Sequence, residues 1–468
     1  MNVVLISTYE LGRQPFGLAS PAAWLRAAGA RVHCMDLSRE EFREEPVRAA
    51  DLVAFYVPMH TATRLSAQLV EPVRRLNLRA HICFYGLYAP MNQVYLRELG
   101  AQTILGGEFE EGLLHLVKRL GRGAPVCAPM SGGHAGPPLQ TEPTISLARQ
   151  KFLVPERAGL PALKDYAHLL MPDGSHRVVG CTEASRGCKH KCRHCPIVPV
   201  YDGVFRIVQP EVVLEDIRRQ VAAGAEHITF GDADFFNGIG HALGIVEAMH
   251  REFPQLSYDA TIKVEHLLKH AQHIRTLRET GCAFIVSAVE SVDDAILARL
   301  EKGHTLADFL SVVRLFREAG LALEPTFVPF TPWTTLEGYR ELLRVLAEFD
   351  LVENVTPIQL GIRLLIPAGS RLLELDDVRW MAGPFDEAAL VYPWQNPDAR
   401  VDALCEEVQE IVHTSEKLKR GRAKTFARIW EAASAAAGGA DQPQSARVPE
   451  RVLVSRAAIP YLNEPWYC

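Results

Sequence analysis

The fold of this chain is decided by one cysteine-rich segment, CTEASRGCKHKCRHCP, at residues 181–196. Three of its cysteines, Cys188, Cys192 and Cys195, have the spacing C-x3-C-x2-C and follow the predicted strand Val178–Glu183. Three thiolates on one tight loop can hold three irons of a cubane iron–sulfur cluster and leave the fourth iron open to another ligand. Basic residues between the cysteines favour thiolates over thiols. We therefore expect a catalytic metal cluster at the carboxyl end of this strand.

A zinc site is the alternative for the same cysteines, and its fourth ligand would be Cys181, His190 or His194. Zinc sites more often pair two C-x2-C units, or combine cysteines with spaced histidines. Cys181 lies within the strand itself and is expected to pack there as a small apolar side chain. The spacing thus favours iron and sulfide over zinc.

Short apolar runs alternate with helical patterns on both sides of the cysteine segment. This alternation is typical of parallel sheets with helices on both faces. Residues 1–120 predict a doubly wound Rossmann-like domain, and residues 178–370 predict a partial (β/α)6 barrel. The predicted strands are Val3–Ile6, Val32–Met35, Leu52–Tyr56, Ile82–Tyr85 and Thr103–Leu105, then Val178–Glu183, His227–Gly231, Ser257–Thr261, Ala283–Val289, Ala322–Val328 and Pro357–Arg363.

Three further regions complete the predicted organisation. Residues 121–177 are expected to form a linker, because Gly121–Pro143 contains ten glycines or prolines in 23 residues and disfavours helices and strands. Residues 371–437 have mainly helical patterns, and residues 438–468 form a linker and tail. Loops at the carboxyl ends of parallel strands converge on one face, so the chemistry is expected there.

Composition excludes several classes of protein. The 468 residues exceed a single small binding module, and 48% of them are hydrophobic, which argues against widespread disorder. Lys+Arg 50 against Asp+Glu 56 gives a net charge of −6, and no basic segment with interleaved aromatic residues indicates nucleic-acid binding. No apolar run approaches the roughly 18 residues of a membrane span, and the first residues lack a signal-peptide pattern. We expect a cytoplasmic protein without a membrane partner.

The cysteine spacing, its position after the first strand of a six-unit barrel and the segments that follow resemble the radical S-adenosylmethionine (SAM) superfamily. The resemblance implies a [4Fe-4S] cluster on Cys188, Cys192 and Cys195, with the amine and carboxylate of SAM on the open iron. It also implies a flavodoxin- or ferredoxin-type reductant, whose electron cleaves the sulfonium to a carbon radical. The protein's part is to position the cofactors and to exclude water.

Loops after two of the later strands resemble the SAM-binding elements of the superfamily. Gly231, Asp232 and Asp234 stand where relatives bind the SAM amino group, and a solvated acidic loop is the alternative. Glu290, followed by Ser291, stands where a glutamate at a strand end contacts the SAM ribose. The alternative for Glu290 is a charge at a helix N-terminus.

Two further elements lie at the predicted mouth of the barrel. Arg363 stands where the sixth strand meets the adenine or carboxylate of SAM in relatives, and a buried ion pair is an equal alternative. Phe330 and Trp333 belong to a proline-rich loop after the fifth strand. They are expected either to line a substrate pocket or to form a turn and helix cap.

The N-terminal repeat resembles the cobalamin-binding domain that precedes the barrel in one large radical SAM class. A flat corrin would lie across the carboxyl edge of its sheet and face the barrel. The sequence lacks the Asp-x-His-x-x-Gly motif, so no histidine ligand to cobalt is expected from that loop. The matching positions are Phe16, Gly17, Pro58, Met59, His60, Gly106, Gly107 and Glu108.

The tail adds a finer resemblance, to radical SAM proteins described by a Cys-(Sec or Cys)-Ala-Glu-Pro tail. Residues 461–465 read YLNEP here, so the Glu-Pro is kept while both cysteine positions are unmatched. Cys468 either substitutes for them or is a free terminal thiol.

Together these resemblances imply a cobalamin-dependent radical SAM methyltransferase (EC 2.1) that methylates an unactivated carbon of a small specialised metabolite. Two alternatives stay open. The first keeps SAM but transfers a 3-amino-3-carboxypropyl group or rearranges the substrate. The second is a non-catalytic metal-binding or electron-transfer protein.

Overall fold

A computed structural model describes residues 1–122, 141–438, 449 and 459–463. Most of the predicted boundary Gly121–Pro143, most of the linker after residue 437 and residues 464–468 of the tail lie outside the described residues. The described chain forms two α/β units in the predicted order, followed by helices. None of its helices is long and apolar enough to cross a bilayer.

The N-terminal unit is a parallel sheet with helices on both faces. Its strands are β1 (Asn2–Ser7), β2 (Arg31–Asp36), β3 (Leu52–Tyr56), β4 (His81–Tyr85), β5 (Thr103–Gly107) and β6 (Ile145–Ser146). Its helices are α1 (Phe16–Ala27), α2 (Glu44–Arg48), α3 (His60–Ala67), α4 (Val70–Leu76), α5 (Tyr88–Met91), α6 (Gln93–Glu98) and α7 (Phe109–Gly121). The strand order β2-β1-β3-β4-β5-β6 is that of a doubly wound sheet. The predicted Rossmann-like fold is confirmed.

Both faces of this sheet are buried, which explains why its strands read as continuous apolar runs. Alternate residues of β1 enter opposite cores: Val4 and Ile6 pack on one face, and Val3 and Leu5 on the other. The short β6, from the predicted linker, extends the sheet beside β5 and was not predicted.

The second unit is a curled, mainly parallel sheet. Its strands are β7 (His168–Leu170), β8 (His176–Thr182), β11 (His227–Phe230), β12 (Ser257–Thr261), β13 (Cys282–Glu290) and β14 (Ala322–Phe327), joined by β15 (Tyr461–Leu462) from the tail. A separate hairpin contains β9 (Ser185–Gly187) and β10 (Phe205–Ile207). The order β14-β13-β12-β11-β8-β7-β15 places β8, the strand before the cysteines, inside the sheet between β11 and β7. Strand β7 runs antiparallel to both of its neighbours, β8 and β15.

Helices surround this sheet and continue beyond it. They are α8 (Val198–Tyr201), α9 (Pro210–Ala222), α10 (Ile239–Glu252), α11 (Val264–Lys269), α12 (Ile274–Glu279), α13 (Asp294–Arg299), α14 (Leu306–Ala319), α15 (Leu336–Glu348), α16 (Asp376–Met381), α17 (Ala399–Lys417) and α18 (Arg422–Ala436). The helical C-terminal region is as predicted.

The sixth barrel strand is much shorter than predicted. Pro357–Leu360 forms a 3-10 turn with proline at its first position, and only a single parallel bridge, between Phe330 and Arg363, continues the sheet. A proline lacks the N–H that a ladder needs, and the glycine at position 361 weakens strand pairing further. The partial barrel therefore has five full parallel strands and a sixth reduced to one bridge.

Candidate functional site

The three motif cysteines lie together on the loop between β9 and α8, at the carboxyl end of β8. The described part of the chain shows each of them free of a disulfide. Burial, helped by the neighbouring Cys192 and Cys188, raises the pKa of the Cys195 thiol to about 12. Metal binding to such buried thiols releases protons, because a metal takes the thiolate form. Three free thiols on one loop form a donor set that fits an iron–sulfur cluster.

Backbone and amide contacts fix the path of this loop. The backbone N–H of Lys189 donates to Asn237 Oδ1 at 3.3 Å, and the Lys189 ammonium donates to the Asn237 carbonyl at 3.1 Å. The backbone N–H of Arg193 donates to the carbonyl of Leu300 at 3.0 Å. Because Asn237 follows β11 and Leu300 follows β13, the loop is held from two sides of the barrel mouth.

Asp232 anchors the segment just before the cysteines. Its carboxylate accepts hydrogen bonds from the Ala184 backbone N–H at 2.9 Å and from the Ser185 hydroxyl at 2.5 Å. Burial raises the pKa of Asp232 to about 7, against the lowering effect of these two donors. Asp232 therefore positions β9, and its two described contacts differ from the predicted role with SAM. At the neighbouring Gly231, an added Cβ would lie 3.6 Å from Glu183 and 3.8 Å from Cys181, at ordinary contact distance.

Glu290 ends β13 in a strained conformation beside the cysteine loop. Its φ of 71° is unusual for a residue with a side chain, and the register with β14 shifts between Ala288 and Glu290. Its Oε1 lies 3.3 Å from the Lys302 ammonium and 3.2 Å from His194 Nε2. Burial raises the pKa of Glu290, but Lys302 and His194 outweigh it and lower the pKa to about 2. Strain of this kind is often kept at functional sites.

The buried Lys302 links this carboxylate to the cysteines. Burial acts to lower the pKa of the ammonium, but Glu290, together with the nearby Cys192 and Cys195, raises it. A fixed positive charge therefore lies beside two of the three thiols. The sequence analysis gave Lys302 no role, because its packing against the cysteine loop depends on how the chain folds back after α13.

Ser291, the second residue of the predicted ribose site, makes a local contact. Its hydroxyl accepts a hydrogen bond from the Asp293 backbone N–H at 3.0 Å, just before α13.

A second polar group was missed by the sequence analysis. Lys263 and His266, at the end of β12 and the start of α11, meet His190 of the cysteine loop and Asp234 of the loop after β11. Burial, then the nearby Lys263 and His266, lowers the pKa of His190 to about 4, so this imidazole is neutral at pH 7. Lys263 and His266 could have been flagged by their position after a parallel strand, where functional side chains collect.

The two aromatic residues predicted at the mouth, Phe330 and Trp333, make contacts with other protein side chains. Phe330 is fully buried and stacks on Tyr339 with ring centroids 4.8 Å apart, and its place in a substrate pocket stays a prediction. Trp333 is partly buried, and its indole N–H donates to Asp377 Oδ2 at 2.8 Å. Both side chains thus contact protein within the described residues.

Arg363 follows the alternative that the sequence left open. Its guanidinium pairs with Asp402 at 2.6 Å, donates to the Trp394 carbonyl at 2.6 Å and stacks over the Trp394 ring. These contacts tie the barrel to α17 and take up the planar fork that a SAM carboxylate would need.

The three glycines predicted to approach cobalamin each have a close neighbour in the protein. A Cβ on Gly17 would lie 2.1 Å from the Tyr56 ring, and one on Gly106 would lie 2.1 Å from Pro90. Gly107 has a φ of 69° and closely approaches the carbonyl of Ser146 in β6. Neighbouring protein atoms thus fill the space that a side chain would need at these three glycines, and their contact with a corrin stays a prediction.

The loop after β3 is the part of the predicted corrin site that stays partly exposed. Pro58, Met59 and His60 are half-buried at the carboxyl edge, and His60 Nε2 lies 2.5 Å from the Ala389 carbonyl. The neighbouring Tyr88 lies close enough to Cys195 for their charges to interact. This part of the edge therefore adjoins the cysteine loop.

Phe16 and Glu108 meet a buried arginine from the barrel. Arg186, two residues before Cys188, pairs with Glu110 at 2.7 Å and lies 3.4 Å from Glu108. Its guanidinium also stacks over the Phe16 ring at 5.6 Å. Tyr201 donates to Glu108 at 3.2 Å. The carboxyl edges of the two sheets are thus joined by one ion network immediately beside the cysteine loop.

The family model of the radical SAM superfamily matches residues 182–343. That range starts where β8 ends and contains the cysteine loop, Asp234, Glu290 and Lys302. Residues 182–343 belong to the radical SAM superfamily. The cysteine loop lies near the start of this radical SAM domain, directly after its first strand.

Two curated proteins resemble the chain in sequence. The hopanoid C-3 methylase of Methylococcus capsulatus is 25% identical over 333 residues, 68% of this chain and 62% of that protein. A tRNA-2-methylthio-N(6)-dimethylallyladenosine synthase of Desulfosudis oleivorans is 25% identical over 203 residues, 42% of each chain. The chain thus spans less than two thirds of the length of either relative.

A solved structure shares the arrangement of both units. The cobalamin-dependent S-adenosylmethionine radical enzyme OxsB, solved with aqua-cobalamin and SAM bound, has a TM-score of 0.68 to this chain at 15% identity. The superposition covers 88% of this chain and 66% of OxsB. The radical SAM domain therefore follows its N-terminal sheet in a known two-unit fold.

Proposed function

We propose that this chain is a cobalamin-dependent radical SAM methyltransferase that methylates an unactivated carbon of a small specialised metabolite. The observation that carries the proposal is the position of the cysteine loop. Its three free thiols lie at the carboxyl end of the barrel sheet, directly beside the carboxyl edge of the N-terminal sheet. Two cofactors bound at these edges would face each other.

The proposed cofactors supply chemistry that side chains lack. A [4Fe-4S] cluster with SAM supplies a 5′-deoxyadenosyl radical that removes hydrogen from carbon, and cobalamin supplies the methyl group. Cys188, Cys192 and Cys195 would hold the cluster. The loop from Pro58 to His60, beside Tyr88, would meet the corrin, since it is the predicted part of the edge that stays half-buried.

The chain's own residues would bind and orient SAM. Glu290 stays ionised because Lys302 and His194 hold its pKa low, so its carboxylate can accept hydrogen bonds from ribose hydroxyls. Gly231 is proposed to meet the SAM amino group, because a residue without a side chain lets a ligand approach the backbone. Ser291 continues the loop after Glu290 and completes the proposed SAM-binding set. A flavodoxin- or ferredoxin-type protein is the proposed reductant.

The net charge of the chain, and the share of it that aligns with each relative, favour a small-molecule substrate over RNA. The chain carries a net charge of −6, which gives no general attraction for a phosphate backbone. The similarity to the hopanoid methylase covers 68% of the chain, whereas that to the tRNA-modifying relative covers 42%.

Nucleoside products test the proposal whatever the identity of the substrate. We expect anaerobic protein reconstituted with iron, sulfide and hydroxocobalamin to bind about one corrinoid per chain and about four irons. With SAM and a strong one-electron reductant, it should form 5′-deoxyadenosine and S-adenosylhomocysteine, measured by mass spectrometry.

Each other outcome contradicts a different part. Methylthioadenosine would indicate cleavage of another sulfonium bond and 3-amino-3-carboxypropyl transfer. Iron binding without any SAM cleavage would indicate a metal-binding or electron-transfer protein. A protein that cleaves SAM but retains no corrinoid after gel filtration would contradict the cobalamin role alone.

A further inference from the structure

Three potential metal ligands from separate elements converge beside the cysteine loop. They are His190, between the first two motif cysteines, Asp234, in the loop after β11, and His266, on α11. One ligand atom from each of the three lies within 4.8 Å of the others. Asp234 and His266 are buried, and His190 is partly buried. Within the described residues, no other group of three His, Cys, Asp or Glu side chains comes this close.

The distances within this group suit ligands of one cation. His266 Nδ1 lies 2.7 Å from Asp234 Oδ2, and His190 Nε2 lies 3.6 Å from the same oxygen. Ligand atoms about 2.1 Å from a tetrahedral zinc ion are about 3.4 Å apart. One pair is thus slightly closer and the other slightly wider than this spacing, so small side-chain adjustments would bring both onto one ion.

Two atoms of the group lack a hydrogen-bond partner. Asp234 Oδ2 and His266 Nδ1 are both buried, and neither makes a hydrogen bond to any described residue. Their short separation does not satisfy hydrogen-bond geometry, so the ring N–H does not point at the oxygen. A buried carboxylate oxygen without a donor is costly unless something else neutralises it. A cation between the two atoms would satisfy both.

A carboxylate also lies behind His190, on the side of its ring that faces away from the other two ligands. Glu265 Oε2 lies 3.6 Å from His190 Nδ1, on the side of the ring opposite to Nε2. A carboxylate behind an imidazole orients the ring and strengthens it as a ligand. The Lys263 ammonium lies 3.2 Å from the same Nδ1 and 3.2 Å from Glu265, so Glu265 also balances this nearby positive charge.

We propose that His190, Asp234 and His266 bind one divalent transition-metal cation, Zn²⁺ or a similar ion, in addition to the metal at the three cysteines. Two imidazoles and one carboxylate suit such cations. Three protein ligands leave a coordination position open to water or to an oxygen of a bound molecule. The second ion would share the cysteine loop with the cluster, because His190 lies between Cys188 and Cys192.

Zinc binding to the cluster-loaded protein tests this proposal. Protein reconstituted anaerobically with iron and sulfide is desalted, dialysed against buffered Zn²⁺, and analysed for both metals by mass spectrometry. We expect about one zinc per chain while the iron content and the cluster absorbance near 400 nm stay unchanged. His266→Ala should keep its iron and weaken zinc binding by roughly 100-fold or more, since loss of an outer partner alone costs about 10–100-fold.

The chain offers matched controls for this measurement. His270→Ala removes a histidine at the end of the same helix, 6.1 Å from the His266 ring and outside the group, and should bind zinc like the unchanged protein. Asp234→Asn should lose zinc as His266→Ala does. Equal zinc binding by all four proteins, or none in the unchanged protein with its cluster intact, would overturn the second site and leave the proposed function untouched. Failure of the protein to bind iron would instead count against the proposed function.

Discussion

Cys192→Ala is expected to abolish the iron–sulfur cluster. The iron content should fall from about four per chain to near none after desalting, and formation of 5′-deoxyadenosine should stop. Cys192 is the middle of the three thiols and is buried, so its removal takes away one of the three cluster ligands and leaves an apolar gap in the loop. Iron and sulfide analysis, with absorbance near 400 nm, measures the loss directly.

Cys405→Ala is the matched control for this substitution. Cys405 is equally buried but lies on α17, far along the chain from the loop, and its cluster should be unchanged. If Cys192→Ala kept the full iron content, the assignment of the three cysteines would be wrong. If the unchanged protein bound zinc at the three cysteines and no iron, the zinc alternative would be favoured.

Arg186→Met is expected to cause the largest loss of stability. Its guanidinium is 7% exposed and faces Glu110, Glu108 and Glu183, so its removal leaves buried carboxylates without a counter-charge. Breaking a buried ion pair in this way costs about 3–5 kcal/mol. Urea unfolding followed by circular dichroism should show the lower midpoint. Limited proteolysis should then cut between the two sheets, because Arg186 joins them.

The stability loss of Arg186→Met is expected to depend on pH. Burial already raises the pKa of Glu108 to about 7, although Arg186 acts to lower it. Without Arg186 the pKa values of Glu108 and Glu183 should rise further above their values in the unfolded chain, and the pKa of Glu110, which Arg186 now holds low, should rise as well. Groups with a raised pKa in the folded state lose stability as pH increases, so the deficit of Arg186→Met should be larger at pH 8 than at pH 6.

Arg218→Met is the matched surface control. Arg218 pairs with Glu252 at 2.7 Å on an exposed face, where such pairs contribute little. The unfolding midpoint should change little at either pH. A similar loss in both variants would show that Arg186 acts only through general surface charge.

The sequence predicted the elements whose signal is local. Strand β3 was placed at its observed ends, because an unbroken apolar run between polar residues marks a strand buried on both faces. The cysteine loop was recognised because its three ligands lie within eight consecutive residues. Glu290 was singled out as well, because the sequence alone places it at the end of a predicted strand; its role with SAM stays a prediction.

Other features depend on contacts between distant segments, which no local pattern records. Lys302 and His266 reach the cysteine loop only because α13 and α11 fold back over the barrel. Gly17 was matched to a cobalamin-binding position, and only the fold shows that the Tyr56 ring from β3 packs against it. Arg363 could pair with a ligand or with a protein carboxylate, and only the packing of α17 places Asp402 beside it.

The central claim is that the three cysteines hold a cluster whose fourth iron is open to SAM. Electron paramagnetic resonance of the reduced, reconstituted protein tests it most directly, with SAM labelled with ¹⁷O in its carboxylate. The account predicts a reduced cluster signal whose g-values shift on addition of SAM and whose lines broaden with the label. A cluster signal identical with and without SAM would contradict the claim.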